Sequence, residues 1–221
     1  MTSGALVQRL RLLDTCAVSD ALDRLGLPGA VHGVHAVWSC PRLAGQVITV
    51  GLRPPVAGEP ARPHLGAAAI TEASVGDVVL MAAGGRTDAA AWGGLLSLAA
   101  REKGVGGVIV DGACRDVDDS RDLGFPVYAR AAVPTTARGR IVEDATGVPV
   151  EVGGRPVNTG DLAIADASGV VLVAAEDAER VIALAEELAA REGRLAQALR
   201  DGRPVLEVMD AGYEAMTRPS G

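Results

Sequence analysis

Aromatic side chains are nearly missing from this sequence, with one Phe, two Tyr and two Trp in 221 residues. A formal net charge of −7 accompanies that scarcity. Neither a base-stacking platform nor a phosphate-seeking face is available, so nucleic acid is discounted as a partner. The cysteines, Cys16, Cys40 and Cys114, are odd in number and widely spaced, which excludes a disulfide framework and a zinc spacing. No apolar run reaches spanning length and the N-terminus has no apolar leader core, so the expectation is a soluble cytoplasmic protein with no membrane partner. Lysine is the scarcest basic residue: Lys103 stands alone against twenty arginines.

What is present is apolar residues, 48% of the chain. That is ample for one core, and nothing marks a linker, so residues 1–221 read as a single domain. The organising stretch is Gly93 to Asp119, GGLLSLAAREKGVGGVIVDGACRDVDD. Leu95, Leu96, Leu98 and Ala99 predict a helix with one apolar face, Arg101 to Lys103 in its last turn and Gly104 as its C-terminal cap. Val108-Ile109-Val110 predicts a buried strand, as does Val78-Val79-Leu80-Met81 before the helix. If the two strands are parallel they form a βαβ unit with the helix. Gly93-Gly94 and Arg115-Asp116 then meet at one edge of the sheet. A helix N-terminus with glycines offers backbone N–H groups to an anion at close range. Arg115 suits a carboxylate or enolate oxygen. Asp116 is a hard oxygen ligand, and Asp119 shares its face if the loop enters a helical turn. The set describes a small anionic substrate held against a divalent cation.

Gly94, twenty residues, Arg115-Asp116, two residues and Asp119 resemble the signature of metal-dependent 4-hydroxy-4-methyl-2-oxoglutarate aldolases, which share a fold with the regulator of ribonuclease activity A (RraA-like) family. Val18-Ser19-Asp20-Ala21-Leu22 and Gly160 to Asp166 resemble the family as well, and the resemblance extends over about residues 12–202. It implies an α/β, three-layer β/β/α swivelling-domain fold with an internal βαβ unit and flanking N- and C-terminal helices. It also implies a homotrimer or hexamer with sites between subunits. Pyruvate would form as its enolate, with Mg²⁺ or Mn²⁺ held by Asp116 and Asp119 as the charge sink. Arg115 would bind the enolate oxygen, and the start of the helix, Gly93, Gly94, Leu95 and Leu96, would receive the pyruvyl carboxylate. Oxaloacetate decarboxylation follows from the same enolate. The base implied is an acidic residue of a neighbouring subunit, for which Glu192 is the candidate; its plain alternative is an exposed helix glutamate beside Arg191. A Schiff-base aldolase would need a lysine in the site, yet Lys103 lies about 13 Å away along the helix. Gly94 stands where many family aldolases carry an acidic residue, which bears on substrate reach. The competing readings are a protein-binding regulator of the ribonuclease-inhibitor type and a lyase or hydratase acting on another oxo acid.

Elsewhere the chain is read without chemistry. Residues 3–13 and Val18 to Leu25 are short helices, the second capped by Thr15 or Ser19. Asp20 and Asp23, one turn apart, would read as a metal pair in isolation; Asp23 is read instead as N-terminal charge against the dipole, and Asp20 stays open because its segment resembles the family. His32 and His35 are turn histidines without a third ligand. Leu43 to Leu52 is a strand, residues 53–64 a proline-rich flap or connection, and Ala82 to Ala91 a glycine loop lacking the order of a nucleotide site. Asp111 begins an Asp-Gly turn, and Cys114 is a packing residue rather than a nucleophile. Strands are expected at Phe125 to Tyr128, Val148 to Val152, Leu162 to Ala165 and Val170 to Ala174. A long helix over Asp177 to Asp201 closes the chain, with a break at Gly193.

Overall fold

The computed structural model describes residues 2–60 and 62–210. Helices α1 (Ser3–Leu10) and α2 (Thr15–Arg24) open the chain, followed by the short strands β1 (Ala30–Val31) and β2 (His35–Ala36). The centre is β3 (Leu43–Arg53), α3 (Ala67–Glu72), β4 (Val78–Trp92), α4 (Gly94–Lys103), β5 (Gly107–Cys114), α5 (Val117–Asp122) and β6 (Val127–Ala132). Then come β7 (Val142–Thr146), the pair β8 (Val150–Val152) and β9 (Arg155–Val157), β10 (Leu162–Asp166), β11 (Gly169–Val173), α6 (Ala178–Arg200) and α7 (Val205–Val208).

β3 belongs to two sheet halves. Its first residues pair antiparallel with β10, and from Val47 onward it pairs parallel with β4. The antiparallel half runs β1-β11-β10-β3, and the parallel half β3-β4-β5-β6. Side chains alternate across a strand, and here both faces find apolar partners. Ala163, Ala165, Val170 and Leu172 point at Val47, Val78, Leu80 and Ile109 of the other half. Their neighbours Ile164, Val171 and Val173 point the opposite way, onto α1, α2 and α6. The outer face of the parallel half, Val79, Met81, Val108 and Val110, packs on Ile70 of α3 and Ala100 of α4. This is the expected α/β fold of stacked sheets with helices, and it explains why Val170 to Val173 lack polar alternation.

Several expectations need correction. Ala82 to Ala91 is not a loop but the second half of β4, whose register against β5 shifts between Ala82 and Arg86, between Arg86 and Ala90 and between Ala90 and Trp92. Gly84 and Gly85, at φ 62° and 76°, supply left-handed residues at the first of these shifts. α2 is capped by Asp14, whose side chain accepts from the Ala17 N–H, and not by Thr15 or Ser19. Thr15 instead donates its hydroxyl to Asp166 at 2.7 Å. Asp20 and Asp23 consequently sit in the second half of the helix, where the dipole disfavours them. Gly193 leaves α6 unbroken. β7 carries no strand signal in its residues, because VEDAT has two acids on a half-exposed strand beside β3.

Asp111 does not begin a turn. It is the fifth residue of β5, 3% exposed, and pairs with Arg130 Nε at 2.5 Å. A buried carboxylate left without its cation is costly. Arg130→Ala is therefore expected to lower stability by about 3 kcal/mol, the low end for buried pairs because the guanidinium reaches solvent. A denaturant titration reads this as a fall in midpoint at unchanged slope.

Candidate active site

β4 and β5 are parallel, so the strand ends and the intervening helix deliver Gly93-Gly94 and Arg115-Asp116 to one edge. The join is direct, with the Arg115 N–H donating to the Trp92 carbonyl at 2.9 Å. Asp116 has φ 54° and ψ 45°, the one positive φ outside glycine among the described residues. Aspartate tolerates this left-handed region better than most residues, at a cost of order 1 kcal/mol. That conformation turns the chain sharply into α5, so that Asp119 follows one turn later on the same side.

The two carboxylates lie against the glycines. A Cβ on Gly93 would stand 2.8 Å from Asp116 Oδ2, and a Cβ on Gly94 would stand 3.1 Å from Asp119 Cβ and 3.2 Å from Asp116 Cβ. The space a side chain would fill is thus occupied by acid groups. Asp116 Oδ2 accepts from the Gly94 N–H at 2.9 Å and lies 3.3 Å from Arg115 Nε. One of the amides expected for a substrate carboxylate is therefore already used. Those of Leu95 and Leu96 remain in the first turn, without intrahelical acceptors.

Of the leucines expected on the buried face, Leu96 packs partly against the core and the other two do not. Leu95 is 84% exposed and Leu98 42%, while Gly94, Ser97 and Ala100 are buried. Small residues are needed there because α4 approaches the Asp116 turn closely. Ser97 carries the connection: the Trp92 Nε1–H donates to its Oγ at 2.9 Å, and that Oγ is 3.0 Å from Ser120 Oγ. Ser120 Oγ in turn donates to the Asp116 carbonyl at 3.4 Å. Trp92 stacks on Phe125 behind the network. The Asp116 turn is thereby tied to the core.

A cavity of about 510 Å³ opens at this edge, lined on one side by Gly93 to Leu96, Arg115 and Asp116. Its other walls hold residues that the sequence reading passed over, Arg62 and His64 from the proline-rich segment and Arg138 from the segment after β6. Residue 61 of that proline-rich segment lies outside the described residues. No local pattern marks these positions, since they come together only when the loops fold over the sheet edge. The Arg62 guanidinium is engaged by the Glu143 and Asp144 carbonyls at 2.9 and 3.2 Å. Arg138 offers its guanidinium without a side-chain partner among the described residues.

Other candidates fall outside this cavity. Glu192 is exposed on α6, and its charge is felt at Asp20 on α2. Burial, and then the charges of Asp23, Glu192 and Asp14, push the Asp20 carboxyl above its ordinary range. Glu192 does not line the cavity, so a role there requires a second copy of the chain. His32 and His35 are exposed, the latter on β2. Burial pushes the buried Cys114 thiol up to about 12, which denies it nucleophilic character. Among the described residues no three His, Cys, Asp or Glu side chains converge as a metal cage. Asp116 lines the cavity, whereas Asp119 is not among its lining residues but lies beside Gly94 at the same helix start. Two carboxylates are a donor set that would suit magnesium or manganese, which retain water and take oxygens from substrate. No helix in the described residues is long and apolar enough to cross a membrane.

Stacked sheets sharing one strand, with an Arg-Asp turn facing a glycine helix start, define a class of α/β proteins with a cavity at a sheet edge. The chain belongs to the RraA-like (Aldolase/RraA) family, which matches residues 15–172. A Halalkalibacterium halodurans protein named provisionally as a 4-hydroxy-4-methyl-2-oxoglutarate aldolase is 31% identical over 219 residues, 97% of this chain and 96% of that one. A Thermus thermophilus 4-hydroxy-4-methyl-2-oxoglutarate aldolase is 35% identical over 106 residues. That match covers 47% of this chain and 62% of the relative, and a match to an uncharacterised Methanocaldococcus jannaschii protein likewise spans 60% of the relative. Among solved structures, an uncharacterised protein from Pseudomonas syringae superposes with a TM-score of 0.84 at 28% identity, covering 94% of this chain and 98% of that one. A Streptomyces coelicolor member of the RNase ES inhibitor RraA family superposes with a TM-score of 0.77 at 25% identity, covering 91% and 98%.

Proposed function

We propose that this chain is a divalent-metal-dependent pyruvate aldolase cleaving 4-hydroxy-4-methyl-2-oxoglutarate or a related 4-hydroxy-2-oxo acid. Oxaloacetate decarboxylation is its companion reaction. The observation that carries the reading is the pair Asp116 and Asp119 packed on the Gly93-Gly94 helix start, with Arg115 beside them at the mouth of a cavity. The aldolase-named relatives support it.

Asp116 and Asp119 would hold the ion, which when bound supplies Lewis acidity at the keto oxygen. Arg115 stabilises the negative charge that develops on that oxygen as the carbon–carbon bond breaks, an interaction stronger in the transition state than before it. The Leu95 and Leu96 amides and the positive end of α4 orient the pyruvyl carboxylate. Glu192 can take part only from a neighbouring copy, in the trimer or hexamer that the family resemblance implies. The fold is shared with an RNase-inhibitor family, so a protein-binding regulator is the reading that replaces this one if catalysis is absent.

Pyruvate release coupled to lactate dehydrogenase tests the proposal, with either substrate and with Mg²⁺, Mn²⁺ or EDTA. Metal-dependent turnover is the expected result; no turnover by folded, metal-loaded protein overturns the assignment. Arg138 lines the same cavity as Arg115, and in this reading it would take the distal carboxylate. Arg138→Ala is expected to raise KM about tenfold for substrates carrying that carboxylate while leaving kcat nearly unchanged, as befits uniform binding. A KM change shared by 4-hydroxy-2-oxo acids that lack the group would count against that role.

A further inference from the structure

The proline-rich segment after β3 brings His64 to the cavity that Arg115 and Asp116 line. Its Nδ1 lies 3.0 Å from the Leu65 carbonyl oxygen. A carbonyl only accepts, so Nδ1 carries the hydrogen, and in the neutral ring Nε2 is left as an acceptor. His64 itself is exposed, and the backbone that follows it is seated in the fold. Leu65 is buried, and Gly66 is left-handed at φ 77°, so close to the indole that a Cβ there would be 3.3 Å from Trp92 Cζ3. The Gly66 N–H donates to Glu143 Oε2 at 2.7 Å. His64 is thus mounted two residues from a contact with Trp92, the residue that leads into Gly93-Gly94.

The other ionisable groups lining the cavity are Arg62, Arg115, Arg138 and Asp116. Three are guanidinium groups, which have no acceptor to offer. The fourth is bonded to the Gly94 N–H and paired with Arg115. A retro-aldol cleavage needs a group that removes a hydroxyl proton. With Asp116 assigned to the cation in the reading above, its free Oδ1 included, His64 is the remaining ionisable acceptor among the described residues that line this cavity.

We infer that His64 Nε2 is the general base that takes the proton of the C4 hydroxyl, an inference resting on the aldolase reading above. The O–H electron pair becomes the second bond of the new C4 carbonyl, and the C3–C4 bond breaks. Its electron pair forms the C2–C3 double bond of the enolate, whose oxygen charge faces Arg115. Solvent protonates C3 to give pyruvate, and the imidazolium returns its proton to solvent, so no oxidant or reductant enters.

The two companion reactions differ in one respect that isolates this step. Oxaloacetate decarboxylation forms the same enolate but has no hydroxyl to deprotonate. His64→Ala is expected to lower kcat for the aldol cleavage at least ~100-fold, within the usual range for a lost general base. Decarboxylation should stay within about twofold. Added imidazole should restore part of the cleavage rate, and this rescue decides the matter if decarboxylation is too slow to compare. His64→Gln, which keeps a hydrogen-bonding side chain but cannot take the proton, should be as slow as the alanine variant. Equal loss of both reactions, no loss of cleavage, or absence of rescue overturns the inference. So does a selective loss of cleavage in Glu192→Gln with His64→Ala unaffected, which would assign the base to a second copy. Wild-type protein inactive on both compounds is a different outcome, because it removes the aldolase reading itself.

Discussion

Asp116→Asn is expected to leave the protein folded and to cost at least ~10³-fold in kcat/KM for pyruvate release. The amide oxygen of asparagine can accept from the Gly94 N–H as Asp116 Oδ2 does at 2.9 Å, and asparagine tolerates the left-handed conformation at φ 54°. The stability change should therefore stay at about 1 kcal/mol or less, the scale of one exchanged hydrogen bond. What is lost is the negative charge that would hold a divalent cation. Lewis-acid stabilisation of an enolate oxygen is worth several kcal/mol, and about 4 kcal/mol corresponds to ~10³ in rate. Steady-state kinetics across a Mg²⁺ titration, beside a denaturant melt, separates the two quantities. Activity within tenfold of wild type would show that Asp116 is no metal ligand.

The second large effect is expected from adding one methyl group. Gly94→Ala places a Cβ at the first position of α4, against Asp119 Oδ2, 3.1 Å from Asp119 Cβ and 3.2 Å from Asp116 Cβ. Helix propensity favours alanine there by about 1 kcal/mol, so a purely structural position would be stabilised or unchanged. The crowding instead falls on the two carboxylates, and displacements of about 1 Å in a catalytic constellation cost on the order of 10²-fold. A variant with a melting temperature near that of wild type but a ~100-fold lower kcat/KM is the expected outcome. Unimpaired turnover would mean that Asp119 does not need its present seat. An aspartate or glutamate at position 94 is a related probe, since it would add a third acid where a methyl already crowds.

The central βαβ unit is written in the order of its residues. Gly104 ends α4 in the left-handed conformation that such a cap requires, and Val78 to Met81 and Val108 to Val110 form buried parallel neighbours. Two parallel strands joined by a helix can bring Gly93-Gly94 and Arg115-Asp116 nowhere but to the same edge, so the heart of the site is local chemistry plus one rule of connection. Asp119 follows from the same logic, being one helical turn beyond Asp116.

Leu95, Leu98, Asp111 and His64 mark where such reasoning stops. The periodicity of α4 points its leucines inward, yet Leu96 alone of them packs partly on the core, and the close approach of the helix to the Asp116 turn puts Gly94, Ser97 and Ala100 on the buried face. Asp111 reads as half of a turn because its ion-pair partner, Arg130, comes from a different strand nineteen residues later. The far wall of the cavity is assembled from segments around residues 62–64 and 138, which are remote from each other and from the glycine motif in sequence. Hydrophobic period, glycine caps and the Arg-Asp motif act over a few residues or one crossover, and that range is enough to specify the paired stretches Val78 to Met81 and Val108 to Val110, the helix between them and the meeting of Gly93-Gly94 with Arg115-Asp116. Which helix face is buried, which charge neutralises Asp111 and which imidazole shares the cavity depend on long-range packing, where steric fit and desolvation select partners that no local pattern encodes.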